Sequence, residues 1–561
     1  MFIKTRAPTC KTCEHDIGKW GLKGPSSKNL LSILFRPQDE SKLLMKKQQH
    51  HVSRRDAMKA AGAGGIGIVV GDVLTTNAFG QTGLPPKPIT MSNDEWFAQR
   101  AWSVSANRVV PDADGKPQPV TSLAKRIHRP KSAAEIAAIV KSLPPSTPVA
   151  CVCGGHEASG TALIANDNAE ILDLIELKKI EFGHSGDDQL VTVGSGVVFR
   201  ELVEAVKTHG GALPVGTGPG VGVAGYVTNG GLSSYFSRRL GLLGQRVVEM
   251  TIVTADGDIR TLTPEDTLFT AMLGAGSALA IVVDMTIRVA AADAIKHAEQ
   301  LVFGFENRAQ AVEFSRTVMQ FMKEKVIPNE SVSLELVVTG TKALVATIVF
   351  YDTFTGSTAD FIRPLQDAAA GQDLPSLATA EWNSWYEAAA ALWPVIAEQK
   401  GSPLATSYHC VGTTGIPEAK VLDFVADVVV GEAPLNEAGM SIVEIRTLGG
   451  ATQKGRRLPS GNCHHAFFVD LVTLYDAGSK SPAERQEIVD LTNRVVDKSR
   501  AMPGLSVDFS GTHSQPDDIG RSAVASEIFG SQAMATAVEE QKKKMDPSNR
   551  FRFHPFSKFL S

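Results

Sequence analysis

The chain has 561 residues and a formal net charge of −4, with 56 Lys and Arg against 60 Asp and Glu. With 43% hydrophobic and 21% charged residues its composition is ordinary for a globular protein, which excludes disorder as the main state; the balanced charge excludes a general nucleic-acid binder. Six cysteines over this length do not make a disulfide scaffold, and the length predicts two or three domains.

Residues 1–80 read as a leader. Ser53-Arg54-Arg55-Asp56-Ala57-Met58-Lys59 precedes an uncharged run from Ala60 to Gly71, and Ala78-Phe79-Gly80 puts small residues where a signal peptidase reads. The apolar run is too short and Gly-rich to span a bilayer, so no membrane span is expected in the mature chain. The paired arginines resemble a twin-arginine export signal, with Ala57 where a bulky apolar residue is usual. That resemblance implies the bacterial twin-arginine export machinery as a partner and a periplasmic or secreted protein, exported folded. Met45-Lys46-Lys47 reads as a natural start for the signal, which would leave residues 1–44 untranslated. In that stretch Cys10, Cys13 and His15 fall short of the four ligands of a closed zinc site, and no metal is expected.

From Arg126 to Val289 strands and helices alternate. Ile136, Ile139, Val140 and Leu143 have helical spacing within Ala133–Leu143, and Phe199, Leu202, Val203 and Val206 repeat it before Gly210-Gly211 stops the helix. Val149–Cys153, Ile171–Leu174, Leu190–Val193 and Ile281–Val289 read as strands. Val247–Thr254 and Ile259–Leu262 read as a hairpin with Asp256-Gly257 in its turn. Beyond about residue 293 the pattern changes. Helical windows at Ala309–Met322, Trp382–Ile396, Pro417–Val429 and Ser481–Ala501 alternate with strands at Ser331–Val338, Ala343–Phe350, Ser441–Leu448 and Ala466–Leu474. Helices set against an antiparallel sheet predict an α+β second domain. A last helical window ends at Met545, before Asp546-Pro547.

Three Gly-rich segments stand out: Cys153-Gly154-Gly155-His156-Glu157-Ala158-Ser159-Gly160, Val215-Gly216-Thr217-Gly218-Pro219-Gly220-Val221-Gly222-Val223-Ala224-Gly225 running on to Asn229-Gly230-Gly231, and Leu273-Gly274-Ala275-Gly276. Glycine lets backbone N–H groups approach an anion with no Cβ in the way, as a pyrophosphate cradle requires. The spacing is not that of a dinucleotide-binding Rossmann fingerprint.

Together these segments resemble the PCMH-type FAD-binding domain of the vanillyl-alcohol-oxidase superfamily, and most of all its berberine-bridge-enzyme-like members. Pro130-Lys131-Ser132-Ala133-Ala134-Glu135-Ile136 is similar to that domain's opening helix, Gly154-Gly155-His156 to its Arg-Ser-Gly-Gly-His loop, and Asp546-Pro547-Ser548-Asn549-Arg550-Phe551 to its Asp-Pro-x-Asn-x-Phe ending. Val152 and Cys153 replace the usual Arg and Ser. The resemblance implies FAD held by Cys153, Gly154, Gly155, Ser159, Gly216, Thr217, Gly218, Gly222, Gly225, Asn229, Gly230, Val282 and Asn549, with His156 covalently bonded to the flavin. Some relatives add a bond from a Cys two residues after the first Gly of the second loop. Gly218 stands there, so one bond is expected. The implied organisation is a leader to residue 80, an FAD-binding domain over 81–292 with its core at about 120–292, a substrate-binding domain over 293–505 with an antiparallel sheet roofing the flavin, and a segment over 506–561 returning to the FAD domain.

Ile442-Val443-Glu444-Ile445-Arg446-Thr447 also looks like that roof. Glu444 and the pair His464 and His465 are the candidate proton acceptors; strand alternation puts Glu444 and Arg446 on one face, where they also read as a surface pair. Trp382, Trp385 and Tyr386 have the spacing of one helix face, as a wall for a planar substrate or as core. The tyrosine base of some relatives is missing, since Ser506-Val507-Asp508-Phe509 stands in its place. The implied activity is that of an FAD-dependent oxidase: hydride passes from a small-molecule C–H to flavin N5, and electrons pass on to O2 to give H2O2. A dehydrogenase with another acceptor and a non-catalytic binding protein on the same fold are the alternatives.

Overall fold

A computed structural model describes residues 85–101, 121–157, 160–166, 168–340, 344–352, 358–391, 393, 404–433, 440–460, 464–476, 481–508 and 525–560. The leader with Arg54 and Arg55, the Cys10–His15 cluster, Ser159 and Cys463 lie outside these residues.

The first layer is a three-stranded parallel sheet in the order Arg126–His128, Glu170–Asp173, Val149–Val152. The helix Ala133–Ser142 covers it. Ser132 caps that helix by accepting the Glu135 N–H, and Ile136, Ile139 and Val140 are fully buried. Beside it stands a five-stranded antiparallel sheet in the order Ile180–Ser185, Asp188–Gly194, Ile281–Arg288, Val247–Val253, Ile259–Leu262. The predicted hairpin is present, and Gly257 takes φ +80 in its turn. The helix Phe199–Thr208 packs Phe199, Leu202, Val203 and Val206 into the core on this side.

The second layer is one eight-stranded antiparallel sheet. Its order is Ser376–Trp382, His297–Phe305, Leu344–Asp352, Val332–Gly340, Met440–Thr447, Phe467–Asp476, Leu404–Thr413, Ser506–Asp508. One face is apolar: Leu334, Leu336, Val338, Val443, Ile445, Val469 and Leu471 share a core with Phe314 and Val318 of the helix Arg308–Phe321 and with Val495 and Val496 of the helix Pro482–Ala501. The mixed helix and sheet content is the expected α+β class. One expectation fails. Trp382 ends a strand, and the helix begins only at Trp385 behind Ser384, whose side chain caps it by accepting the Glu387 N–H. Tryptophan fits a pleated edge as well as a helix, and the Asn383-Ser384 break was the overlooked stop.

The C-terminal segment packs back onto the first layer. The helix Gln532–Met545 ends at Asp546, ahead of Pro547. The buried Asp546 carboxylate accepts the N–H groups of Arg550 (2.8 Å) and Phe551 (2.7 Å) and the Lys542 ammonium (2.7 Å). Phe551 is 1% exposed, in the cluster of Ile136, Val140, Val149 and Leu172. The Arg550 carbonyl accepts the Val149 N–H at 2.9 Å, and its guanidinium donates to the carbonyls of Val140, Leu143, Pro144, Pro145 and Ala255. Asp546 therefore organises the turn. Asn549 supplies its left-handed residue, at φ +49.

His554 is buried beside this turn, with Nδ1 accepting the Phe556 N–H at 3.2 Å. Burial, with Lys542 adding to it, pushes its pKa down to about 3 from 6.5. A folded-state pKa below the unfolded value contributes stability that is complete above pH 6.5 and is lost as pH falls from there toward about 3. The melting temperature is expected to fall across that window. His554→Asn, which keeps an acceptor but does not titrate, should fall less steeply when both are followed by thermal denaturation.

Candidate functional site

The first two Gly-rich segments meet. A Cβ built on Gly154 would lie 2.2 Å from the Gly222 nitrogen and 2.8 Å from the Gly220 oxygen, so only bare backbone permits the approach. One built on Gly220 would lie 2.8 Å from His156 Nε2, which places the imidazole at this junction. Gly155 has φ +74, and a Cβ there would lie 2.0 Å from the Arg100 oxygen. The helix Asn93–Arg100 that lies behind this loop was not among the predicted elements, although Ser92 and Glu95 form a capping box at its start. Its Arg100 donates to the Cys153 carbonyl and pairs at 3.2 Å with the fully buried Asp173, which also accepts from Trp96 Nε1 and Arg129 Nε at 2.9 Å each. Burial pushes the Cys153 thiol up to about 11, against the pull of Arg100. That is a packed thiol, not a reactive one.

Of the remaining predicted cofactor residues, Gly216, Thr217, Gly218, Gly222, Gly225, Asn229 and Gly230 lie on the second Gly-rich segment. Gly216 lies against the Phe199 and Tyr226 rings, Thr217 is half-buried, and the Gly218 carbonyl accepts the Val221 N–H at 3.2 Å. Gly222 precedes the short helix Val223–Val227. A Cβ on Gly225 would meet no atom within 4 Å. Asn229 donates through Nδ2 to the Gly225 carbonyl at 2.8 Å, and its Oδ1 is buried with no hydrogen-bond partner. Gly230 takes φ +92 against Ser460. Val282 lies in the five-stranded sheet, its carbonyl accepting from Ser195 Oγ at 2.6 Å. Bare backbone loops with a buried acceptor left over are a donor and acceptor set that fits a cofactor carrying phosphates and a ring N–H.

Across from these loops stands the polar face of the eight-stranded sheet. Directly opposed residues share a face, and the register aligns Glu335 with Arg446 and Phe468, and Glu444 with Asp470 and Cys410. Leu232, just after Gly230-Gly231, packs against the buried cluster of Cys410, Leu448, Phe468 and Val472 on that side. The Arg446 guanidinium gathers three carboxylates: Nε to Glu335 at 3.1 Å, one terminal nitrogen to Asp470 at 2.5 Å, the other to Glu444. The pair Glu444–Arg446 is thus no surface pair. Arg446, Glu335 and Asp470 are 4%, 3% and 0% exposed at the side chain, and Glu444 alone reaches 26%. Burial pushes Glu335 up to about 8, against Arg446 and with Glu444 and Asp470. Tyr235, from the Gly-rich side, is raised well above its ordinary value by burial and by Glu335 and Glu444. Lone acids inside apolar strands, at Leu334-Glu335-Leu336 and Val469-Asp470-Leu471, were the signal for this cluster. Only strand register shows that they converge.

The histidine pair divides. His465 is buried, its ring 5.4 Å from Phe468, and a Cβ on Gly412 would lie 2.7 Å from it, so it borders the polar face. His464 is half-buried at the rim, with Arg457 Nε 3.3 Å from its Nε2. The aromatic window is a seam. Trp385 donates to the Leu213 carbonyl at 2.9 Å, Tyr386 donates to Glu204 at 2.5 Å, and Arg200 lies 5.7 Å from the centre of the Trp393 ring. Asp508 pairs with Cys410 in the last strand.

Comparison with known proteins places these features. Residues 124–263 match the model of an FAD binding domain. The FAD-linked oxidoreductase tazG of Aspergillus terreus is 32% identical over 164 residues, 29% of this chain and 32% of that protein. Berberine bridge enzyme-like 23 of Arabidopsis thaliana is 32% identical over 130 residues, 22% of this chain and 24% of that protein. The matched region thus spans about a third or less of these curated relatives. Among solved structures, berberine bridge enzyme from Eschscholzia californica superposes with a TM-score of 0.63 at 16% identity, covering 84% of this chain and 95% of its own. A chitooligosaccharide oxidase superposes with a TM-score of 0.64 at 14% identity, covering 83% and 96%. The chain thus carries a match to an FAD binding domain over residues 124–263, set in the fold seen in berberine bridge enzyme.

Proposed function

We propose that the protein is an FAD-dependent oxidase of a small molecule, with His156 as the covalent attachment point of the flavin and Glu444 as the acceptor of the substrate proton. The observation that carries this is the facing of two surfaces: the glycine loops around His156 and Asn229 on one side, and on the other a sheet face on which Glu444 is the most exposed carboxylate of a buried cluster. FAD, when bound, supplies the electron-pair acceptor for a substrate C–H and returns the electrons to O2 as H2O2. The chain supplies the rest. The glycine loops seat the cofactor, the polar face holds the substrate, and Glu444 takes a proton from its O–H or N–H as the C–H bond breaks. The buried sheet around Arg446 excludes water. The Arg54-Arg55 signal supports a periplasmic or secreted location.

The test is anaerobic addition of alcohols, amines and sugars to the yellow protein. Bleaching of the flavin identifies the substrate class, and peroxide formed on admitting air separates an oxidase from a dehydrogenase. A protein that binds such molecules without bleaching is a carrier and not an enzyme. His156→Ala is expected to release all of its flavin into the supernatant on acid denaturation, where the parent protein keeps its colour in the pellet. Free FAD from the parent protein would remove the covalent bond from this account.

A further inference from the structure

Arg446 sits where one cation serves three acids. Its guanidinium plane offers Nε and two terminal nitrogens, and each meets a different carboxylate: Glu335 on the Val332–Gly340 strand, Asp470 on the Phe467–Asp476 strand, and Glu444 on its own strand. A planar fork of fixed geometry, pinned by two buried acids from neighbouring strands, leaves the third acid little freedom. Glu444, two residues from Arg446 on the same face, is that third acid, and it is the member with an exposed edge.

We propose that Arg446 is a positioning residue, locked by Glu335 and Asp470, that fixes the orientation of Glu444 toward the substrate and makes its charge environment depend on the protonation of Glu335. This rests on the assignment of Glu444 as proton acceptor. Three carboxylates and one guanidinium in a buried site would carry two negative charges in excess. Glu335 relieves this by keeping its proton up to about pH 8. The groups facing Glu335 are Arg446, Glu444 and Asp470 in the sheet and Tyr235 from the glycine-loop side. Below about 8 the cluster therefore holds one excess charge, and above it two.

Inorganic sulfite reads this charge without a substrate, because it is an anionic nucleophile that bleaches oxidised flavin by adding to it. Its dissociation constant is measured against pH for the flavin-loaded protein and for Glu335→Gln. Sulfite's own titration is common to both, so the ratio of the two constants isolates Glu335. That ratio is expected to be flat below about 8 and to rise about tenfold above it, as one more negative charge repels the anion. A ratio constant over the whole range overturns the proposal, whatever happens to the melting temperature. If Glu335→Gln does not retain flavin, Glu444→Gln replaces it. Arg446 then serves fewer acids and holds Glu335 more firmly, so the inflection is expected to move to lower pH, and an unmoved inflection overturns the proposal. With a substrate identified, Arg446→Met should slow bleaching about a hundredfold with substrate affinity within threefold, and Arg446→Lys should recover part of the rate. Loss of affinity and rate together, with no recovery by lysine, marks a merely structural residue and also overturns it. Full turnover by Glu444→Gln, in contrast, refutes the choice of proton acceptor and leaves the sulfite result standing.

Discussion

Arg550→Ala is expected to destabilise the protein by about 4 kcal/mol or more and to strip flavin from what remains folded. The guanidinium is 3% exposed with its residue and donates to five carbonyls, at 2.6 Å to Ala255, 2.7 Å to Pro144, 3.1 Å to Leu143, 3.2 Å to Val140 and 3.3 Å to Pro145. Val140 and Leu143 end the helix Ala133–Ser142, so the cation also meets the negative end of that helix. Alanine leaves these buried acceptors short of donors, and each such loss costs about 1–3 kcal/mol before relaxation. Lysine cannot replace the fork, because one ammonium cannot reach carbonyls on both sides of the turn. Thermal unfolding and flavin retention through gel filtration measure the two effects together. Removing everything from Lys544 onward takes away Phe551 as well, worth a further 3–5 kcal/mol by the usual cost of emptying a buried aromatic site. A domain is stable by only about 5–15 kcal/mol, so the truncated chain should not hold flavin at all. A truncated protein that melts and binds FAD like the full chain would show that the tail merely rests on the first sheet.

Arg238→Ala is expected to have the second largest effect, and a different one: loss of the roof from the flavin side. Arg238 lies in the short helix Ser237–Leu240 just beyond the glycine loops and is 3% exposed. Its guanidinium donates to the carbonyls of Val332 (2.8 Å), Ile327 (2.7 Å), Val326 (3.0 Å), Asn329 (3.3 Å) and Leu448, all on the side of the eight-stranded sheet. No carboxylate is among these acceptors, and burial pulls its pKa down to about 10, with Glu330 opposing. The chain makes room for it with Gly450, at φ +55, where a Cβ would lie 2.6 Å from the Arg238 carbonyl. The variant should lose about 3 kcal/mol or more. Protease should cut between residues 322 and 332 sooner than in the parent, while the flavin stays bound. Equal cleavage rates for the two proteins would show that the sheet is held without this residue.

The elements most legible from sequence were those whose periodicity is strong and local. The helices at Ala133 and Phe199, the hairpin around Gly257 and the Asp546-Pro547 stop all stand where apolar spacing and turn residues put them. The strands His297–Phe305 and Leu404–Thr413 escaped notice. Gln300, Gly304, Ser407, His409 and Gly412 interrupt their alternation, and cross-strand neighbours decide such segments. At the site, the glycine segments and His156 were visible because backbone approach demands glycine at particular positions. Glu444 and Arg446 were visible as a pair, but their partners were not. Glu335 and Asp470 lie 111 and 24 residues from Arg446 in the chain, and only the pairing of three strands brings them to one guanidinium. The same holds for Asp173 with Trp96, Arg100 and Arg129, where one buried acid collects donors from two distant segments.

The reach of Arg550 has a consequence for how the molecule is made. Its bond to Val140 joins residues 410 apart, and its bond to Ala255 joins residues 295 apart. The sheet that opens the FAD binding domain therefore leaves the ribosome with its last helix end uncapped and with no Phe551 in its core. It must wait, through synthesis of the entire eight-stranded sheet, for the segment that finishes it. Folding of the cofactor half is thus late by construction, since it cannot be completed before the segment from Asp546 to Phe551 has been made. A nascent protein halted short of Asp546 is expected to be a substrate for chaperones and proteases, not a half-made enzyme.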